Sequence, residues 1–424
     1  MFDVREKPKM VERAYLIGLA DTETSEAEAE RLLEELAELV NTLGIGVVGR
    51  EVVRLRQPQA RYLVGKGKVA SILSAAAARQ SDCLVLDAEL SPAQQRNWEA
   101  ESGLCVIDRE EVILDIFSQR AQTREAVLQV ELARAEHSLP RLKNAWTHLS
   151  RQRGGGGVTQ RGEGEAQIEL DARMVRQRIS KLKQELGSVV QHRATQRKQR
   201  QRVPLPSAAI VGYTNAGKST LLNALTGSEV VSEDKLFATL DPTTRQLKLP
   251  SGQKLLLTDT VGFVRRLPHQ LVEAFKATLE EALLADFLIN VVDASNPEFE
   301  EHLETTLAVL DELGAEGKRI LTVFNKIDCC KEAPRLLSTP ERVVRVSARS
   351  GTNLDGLVRA FDDILSEART DVELLIPFDH YGMIHRLHTV GAITEQHSCD
   401  EGIQVRATLP QRLVPQFEAF QKRF

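Results

Sequence analysis

The stretch that most constrains the fold runs from Ala208 to Leu225. Ala208, Ala209, Ile210 and Val211 form a short apolar run of the buried-strand type. Gly212-Tyr213-Thr214-Asn215-Ala216-Gly217-Lys218-Ser219 follows and fits G-x-x-x-x-G-K-[ST] at every position. Thr220, Leu221, Leu222, Asn223, Ala224 and Leu225 then read as the first turns of a helix. In a strand, glycine loop and helix of this kind, backbone N–H groups and a helix N-terminus surround a phosphate chain. Gly212 and Gly217 allow the tight turn without a Cβ in the way. Lys218 supplies charge to the outer phosphates, and the Ser219 hydroxyl is a ligand for Mg²⁺.

With 424 residues the chain exceeds one ordinary core, so three or four domains are expected. A composition 27% charged and 42% hydrophobic is that of a soluble globular protein. The net charge of −5 excludes a uniformly basic nucleic-acid coat but permits a local basic patch. The five cysteines, Cys83, Cys105, Cys329, Cys330 and Cys399, lack Cys-x-x-Cys spacing, which argues against a disulfide framework or a zinc site. Met1 to Met10 is charged and lacks an apolar segment, and no apolar run approaches the ~20 residues that span a bilayer. A cytoplasmic chain with no membrane span is therefore expected.

Residues 1–118 alternate strand-like and helix-like segments: Tyr15 to Leu19 as a strand, Ser25 to Leu43 as a helix, an apolar Arg61 to Val64, then an Ala-rich helix after Gly65-Lys66-Gly67-Lys68. Cys83 to Leu86 and Leu104 to Ile107 read as further strands. Between them Ser91-Pro92 pairs an N-cap with proline at the first helical position. This alternation predicts a small parallel α/β domain. Gly65 to Lys68 lacks full phosphate-loop spacing and reads as a strand-to-helix turn.

Residues 119–203 carry two heptad-spaced arms. Leu128, Leu132, Ala135, Leu139 and Leu142 mark the first; Ile168, Ala172, Val175, Ile179, Leu182, Leu186 and Val189 mark the second. They predict an antiparallel helical hairpin, with Pro140 kinking or interrupting the first arm. The tip, Arg151 to Gly164, holds four consecutive glycines flanked by Arg151, Arg153 and Arg161. It is either a solvated connector or a loop that orders against a phosphate backbone. Arg193, Arg197, Lys198, Arg200 and Arg202 extend the basic character to the boundary at Pro204 and Pro206. The domain carrying the phosphate loop is expected over 204–369. A small α+β domain follows over 370–424, with strands at Leu374 to Ile376 and Ile403 to Ala407 and helices at Ile384 to Leu387 and Leu413 to Phe420. His380, His385 and His388 cluster there without companion cysteines or an acidic ligand pattern.

The residues after the phosphate loop choose the base. Leu255 to Asp259 is a buried strand ending in Asp259-Thr260-Val261-Gly262, with the acid placed to hold Mg²⁺ and the Gly262 N–H free to meet a γ-phosphate. Leu321 to Phe324 leads into Asn325-Lys326-Ile327-Asp328. The acceptor-only Asp328 carboxylate suits the N1–H and N2–H₂ donors of guanine, a pair that adenine lacks. Val343 to Val346 leads into Ser347-Ala348-Arg349, placed to offer a backbone N–H to the guanine O6.

These motifs resemble the translation-factor-related GTPases. Leu236 to Arg245 and Asp259 to Pro268, with the glycine-rich loop and the preceding α/β domain, narrow the resemblance to HflX-type GTPases. It extends from about residue 14 to about residue 369. One departure is Gly162-Glu163-Gly164-Glu165-Ala166-Gln167, where the family usually has Gly-Pro-Gly-Glu-Thr-Gln. The resemblance implies a mostly parallel, doubly wound α/β sheet with the site at the C-terminal strand ends. It implies GTP/GDP binding along Gly212–Thr220, Phe237–Thr239, Asp259–Gly262, Asn325, Lys326, Asp328 and Ser347–Arg349. It also implies Mg²⁺ on Ser219, Thr239 and Asp259, Thr243 and Thr244 being alternatives to Thr239. Lys218, Thr239 and Gly262 would be catalytic, and Asn215 matches a position that in some relatives helps hold K⁺. The partner implied is the large ribosomal subunit, both its rRNA and its proteins, acted on by a monomer in ribosome splitting, rescue or biogenesis. The competing reading is an RNA-binding or RNA-remodelling module with a slow nucleotide clamp. Phe263 stands where many GTPases place a water-orienting Gln, so slow intrinsic hydrolysis is expected.

Overall fold

The computed structural model describes residues 11–145, 160–200, 205–227, 236–237, 239–266, 282–315, 317–330, 342–367, 369–390, 392–399, 401–410 and 414–421. The chain forms two compact units. Among the described residues, the first holds 11–145 and 160–189 together with 236–237, 239–241 and Arg266; the second holds the rest.

In the first unit β1 (Arg13–Ala20), α1 (Glu26–Thr42), β2 (Gly46–Arg54), α2 (Lys66–Ala78), β3 (Cys83–Leu86), α3 (Pro92–Ser102), β4 (Cys105–Asp108) and α4 (Arg109–Arg120) alternate. They build a fully parallel sheet in the order β2-β1-β3-β4. Local chemistry sets the helix starts. Ser25 caps α1, a complete capping box joins Ser91 and Gln94 with Pro92 in the first turn of α3, and Asp108 caps α4 through the Glu111 N–H. Tyr15, Ile17, Leu84 and Trp98 centre the core, where the buried indole donates to the Tyr62 carbonyl at 2.9 Å. The edge strand β2 has no counterpart in the sequence reading, because Gly49, Arg50 and Glu51 interrupt its apolar pattern and most of it is half-buried.

The arms are α5 (Arg124–Ala145) and α6 (Gln160–Arg200). Leu128, Ala172 and Leu182 are buried and Val175, Ile179, Leu186 and Val189 half-buried, so the expected seam is present. Arg124 pairs with Glu185, and Arg178 with Glu131, across the arms. The expected interruption at Pro140 does not occur; α5 runs through it. Arg141, next in the chain, is anchored to Asp108 at 3.0 Å and to the Leu90 carbonyl at 3.2 Å. These tertiary bonds hold the turn in which proline removes a backbone hydrogen bond. Most of the glycine-rich tip, with Arg151 and Arg153, lies outside the described residues, as do Arg202 and Pro204.

The second unit carries β5 (Ser207–Gly212), α7 (Lys218–Thr226), β6 (Thr243–Lys248), β7 (Lys254–Asp259), β8 (Phe287–Asp293), α8 (Phe299–Glu312), β9 (Arg319–Asn325), β10 (Val343–Arg345) and α9 (Leu354–Glu367). The sheet order is β10-β9-β8-β5-β7-β6, parallel except that β6 runs against β7. Its inner strands β5 and β8 are near-continuous apolar runs, as a parallel sheet covered on both faces requires. β11 (Arg369–Ile376), α10 (Gly382–Val390), β12 (Ala392–Cys399), β13 (Gly402–Pro410) and the short α11 (Val414–Phe417) follow. They form an antiparallel sheet, β11-β13-β12, over a core of Leu374, Leu387, Val405 and Phe417. Among the described residues no group of three His, Cys, Asp or Glu side chains could hold a metal, and no helix is long and apolar enough to cross a membrane.

Candidate nucleotide site

The central strand β5 delivers Gly212 to the C-terminal edge of the sheet at φ +140°, where a Cβ would lie 2.2 Å from the Val291 carbonyl oxygen. Gly217 opens α7 at φ +89°, and a Cβ there would lie 2.4 Å from Asn325 Nδ2. Side chains are excluded at both positions, so glycine is required at the two ends of the loop. Asn215, at φ +57°, is exposed at the turn between them, and Ala216 is buried.

Lys218 folds back under the loop and donates to the carbonyls of Gly212 and Tyr213 at 3.1 and 2.7 Å. Burial pushes its pKa down to about 8, partly opposed by the Asp259 carboxylate. The Ser219 hydroxyl donates to Asp259 at 2.6 Å, and Asp259 is fully buried at the end of β7. Thr260 Oγ1 donates to the Ile210 carbonyl, fastening this strand end to β5. Gly262 approaches so closely that a Cβ would lie 2.7 Å from Lys218 Nζ. Beyond it Phe263 is buried and pairs with the loop backbone: its N–H donates to the Gly212 carbonyl at 3.1 Å, and its carbonyl accepts from the Thr214 N–H at 2.8 Å.

Asn325, at the end of β9, connects the remaining pieces. Its Nδ2 donates to the Ala216 carbonyl and its Oδ1 accepts from the Ala348 N–H, both at 2.9 Å. Lys326, at φ +62°, pairs with Asp293 at 2.8 Å. Asp328 is exposed, and a hydrogen bond from Ser347 holds its carboxyl below the usual range. Ser347 is buried, Ala348 nearly so, and Arg349 is exposed.

The structure thus brings Gly212 to Thr220, Asp259 to Gly262, Asn325, Lys326, Asp328 and Ser347 to Arg349 together in the second unit. Phe237 and Thr239 belong to the first unit, and Ala238 lies outside the described residues. Phe237, at φ +55°, packs edge-on against Phe117 with 4.6 Å between centroids. Asp241 accepts from the N–H groups of Gln122 and Thr123 at 2.9 and 3.0 Å. Of the alternatives to Thr239, Thr243 and Thr244 lie within β6, and the Thr244 hydroxyl is bonded to that of Thr258 at 3.0 Å.

Sequence reasoning missed the support behind the loop. Tyr213 stacks on His302 at 3.8 Å between ring centroids, and its hydroxyl accepts the Arg265 N–H at 2.9 Å. Arg265 in turn reaches Glu298, just before α8, and Glu301 within it. No local pattern announces such contacts between residues far apart in the chain.

A doubly wound sheet carrying a phosphate loop, a strand-end Asp-x-x-Gly and an Asn-Lys-x-Asp turn defines a P-loop GTPase. Three family models match the chain in succession: GTP-binding GTPase N-terminal over residues 30–118, GTP-binding GTPase Middle Region over 120–200 and 50S ribosome-binding GTPase over 207–326. The chain is 49% identical to the GTPase HflX of Akkermansia muciniphila over 99% of both chains. It is 44% identical to that of Chlamydia pneumoniae over 99% of this chain and 90% of the relative. With that of Escherichia coli it shares 39% over 93% of each. The chain belongs to the HflX GTPase family; it binds guanine nucleotides and hydrolyses GTP.

Proposed function

We propose that GTP binds at the C-terminal strand ends of the second unit and is hydrolysed there by in-line attack of water on the γ-phosphate. The carrying observation is the Asn325 side chain, which spans from the phosphate loop at Ala216 to the base-reading loop at Ala348. One residue fixes the spacing between the phosphate end and the base end of the ligand. Asp328 accepts from the guanine N1–H and amino group, and the Ala348 region meets O6. Lys218 leaves its two carbonyl partners for the β- and γ-phosphates, and the Gly262 N–H donates to a γ-phosphate oxygen.

The buried Ser219 hydroxyl and Asp259 carboxylate, 2.6 Å apart, are a hard-oxygen donor pair that fits Mg²⁺. When bound, the ion neutralises charge on the phosphates. Asn215 presents an amide at the exposed turn, where we place a K⁺; turnover in potassium against sodium tests that role. Phe263 is buried against the loop and cannot orient water, so hydrolysis depends on a partner.

In this reading the partner is the large ribosomal subunit, met by a monomer in the cytoplasm during ribosome splitting, rescue or biogenesis. The match to the 50S ribosome-binding GTPase model and the basic tip support it. The chain is divided functionally at 1–118, 119–203, 204–369 and 370–424. The test pairs GTP turnover, with and without large subunits, with co-sedimentation across a salt series. Replacing Arg151, Arg153 and Arg161 by Ala is expected to lower subunit affinity and its salt dependence while leaving basal turnover unchanged. Wild-type binding and stimulation in that variant would make the tip a solvated connector.

A further inference from the structure

The first unit carries two cysteines that face one another across its sheet. Cys83 opens β3 and Cys105 opens β4, and the two are partners in the parallel register. Register-paired residues on adjacent strands project to the same face. Strands lie about 4.8 Å apart, within the Cα separation of roughly 4.4–6.8 Å that a disulfide bridges. The Cys83 thiol donates to the Leu84 carbonyl at 3.6 Å. Cys83 is completely buried, whereas Cys105 is exposed. The roles are therefore unequal: a reagent from solution meets Cys105 first, and Cys83 can react only with its neighbour.

We propose that Cys105 and Cys83 form a peroxide-responsive thiol pair, Cys105 being the attacking and Cys83 the resolving residue. The Cys105 thiolate attacks one oxygen of a hydroperoxide. The O–O bond breaks, the alcohol or water leaves carrying the thiol proton, and Cys105 becomes a sulfenic acid, oxidised by two electrons as the peroxide is reduced by two. The Cys83 sulfur then attacks Cys105, the S–O bond breaks, and the hydroxyl departs with the Cys83 proton as water. The net change is two thiols and one hydroperoxide to one disulfide, one alcohol and one water. The neighbouring Cys83 lowers the Cys105 pKa, opposed by partial burial and by Glu111, Glu99 and Asp82, while Cys105 and burial raise that of Cys83. The product staples the edge strand β4 to β3 and closes a loop around α3.

The test uses the full chain and hydrogen peroxide. The free-thiol count should drop from five by two before other cysteines react. Non-reducing tryptic mapping should show the Cys83 peptide joined to the Cys105 peptide, the two being separated by cleavage at Arg96. Cys83→Ser should instead leave Cys105 as a sulfenic acid trapped by dimedone, and Cys83→Ala should do the same if the serine hydroxyl disturbs the core. Cys105→Ser should abolish the cross-link. Dimedone-trapped Cys105 in the wild type at the level of Cys83→Ser, or a cross-link to any other cysteine, would overturn the pairing.

Discussion

Both units contain parallel sheets whose strands end in acids, and they treat those acids in opposite ways. In the first unit Asp87 and Asp108, at the ends of β3 and β4, are closed by guanidinium groups. Arg109 reaches Asp87 at 2.8 Å and also Glu35, and Arg141 reaches Asp108 at 3.0 Å. In the second unit the strand-end acid Asp259 accepts from a small hydroxyl, and the neighbouring Lys218 donates to main-chain carbonyls. A guanidinium fills the crevice with a fixed internal counter-ion. A hydroxyl and a lysine held on carbonyls are partners that a phosphate and a cation can replace. The position in the sheet is the same, and the partner decides whether it becomes a structural joint or a ligand site.

The largest effect should come from removing the replaceable cation. Lys218→Ala is expected to reduce GTP turnover by roughly 10²–10³-fold, the scale of losing one charge-stabilising donor, with the fold unchanged by circular dichroism. Normal turnover in that variant would place the phosphates elsewhere.

Asp87→Ala is the matching break in the first unit. It removes one of the carboxylates that Arg109 reaches and should cost about 3 kcal/mol of stability, while GTP affinity stays within about twofold. Chemical denaturation and nucleotide titration read the two effects separately. A loss of GTP affinity as large as that in Lys218→Ala would erase the contrast between joint and site.

Asp328→Asn sharpens the contrast at the base end. The exposed carboxylate contributes little to the fold, yet its loss should lower GTP preference by roughly a hundredfold and favour xanthosine triphosphate, whose base has an acceptor where guanine has an amino group. Competition between the two nucleotides measures it, and an unchanged preference removes Asp328 from the site.

Much of this was legible in the chain. The strands β5, β7 and β9 are short apolar runs ending in Gly212, Asp259 and Asn325, so the motif and the strand end coincide in sequence. The N-cap at Ser91 and the seam through Ala172 and Leu182 were likewise local. Three things were not. β2 and β12 are edge strands with polar or glycine-broken patterns, held by main-chain pairing that no side chain announces. The continuity of α5 through Pro140 depends on Arg141 finding Asp108, a contact made only after folding. The placement of Phe237 on Phe117 and of Asp241 on Gln122 and Thr123 joins residues more than a hundred positions apart. Such contacts carry no periodicity to read.

The smallest expected effect is also the one that tests the lysine's environment directly. Lys218 has its pKa lowered by burial from 10.5 to about 8. Between those two values the unfolded chain binds more protons at this residue than the folded one, so Lys218 makes stability rise with pH from about 8 to 10.5. Nucleotide binding has the opposite sign. A phosphate requires the charged lysine, so binding near pH 8 takes up a proton, and affinity falls as the lysine deprotonates. From pH 7 to pH 8.5 the charged fraction drops roughly fourfold, and GDP affinity should fall by the same factor. Calorimetry in two buffers of different ionisation enthalpy should register the uptake near pH 8. In Lys218→Ala both the uptake and the added pH slope should vanish. An unchanged slope in that variant would assign the titration to another group and leave Lys218 charged throughout.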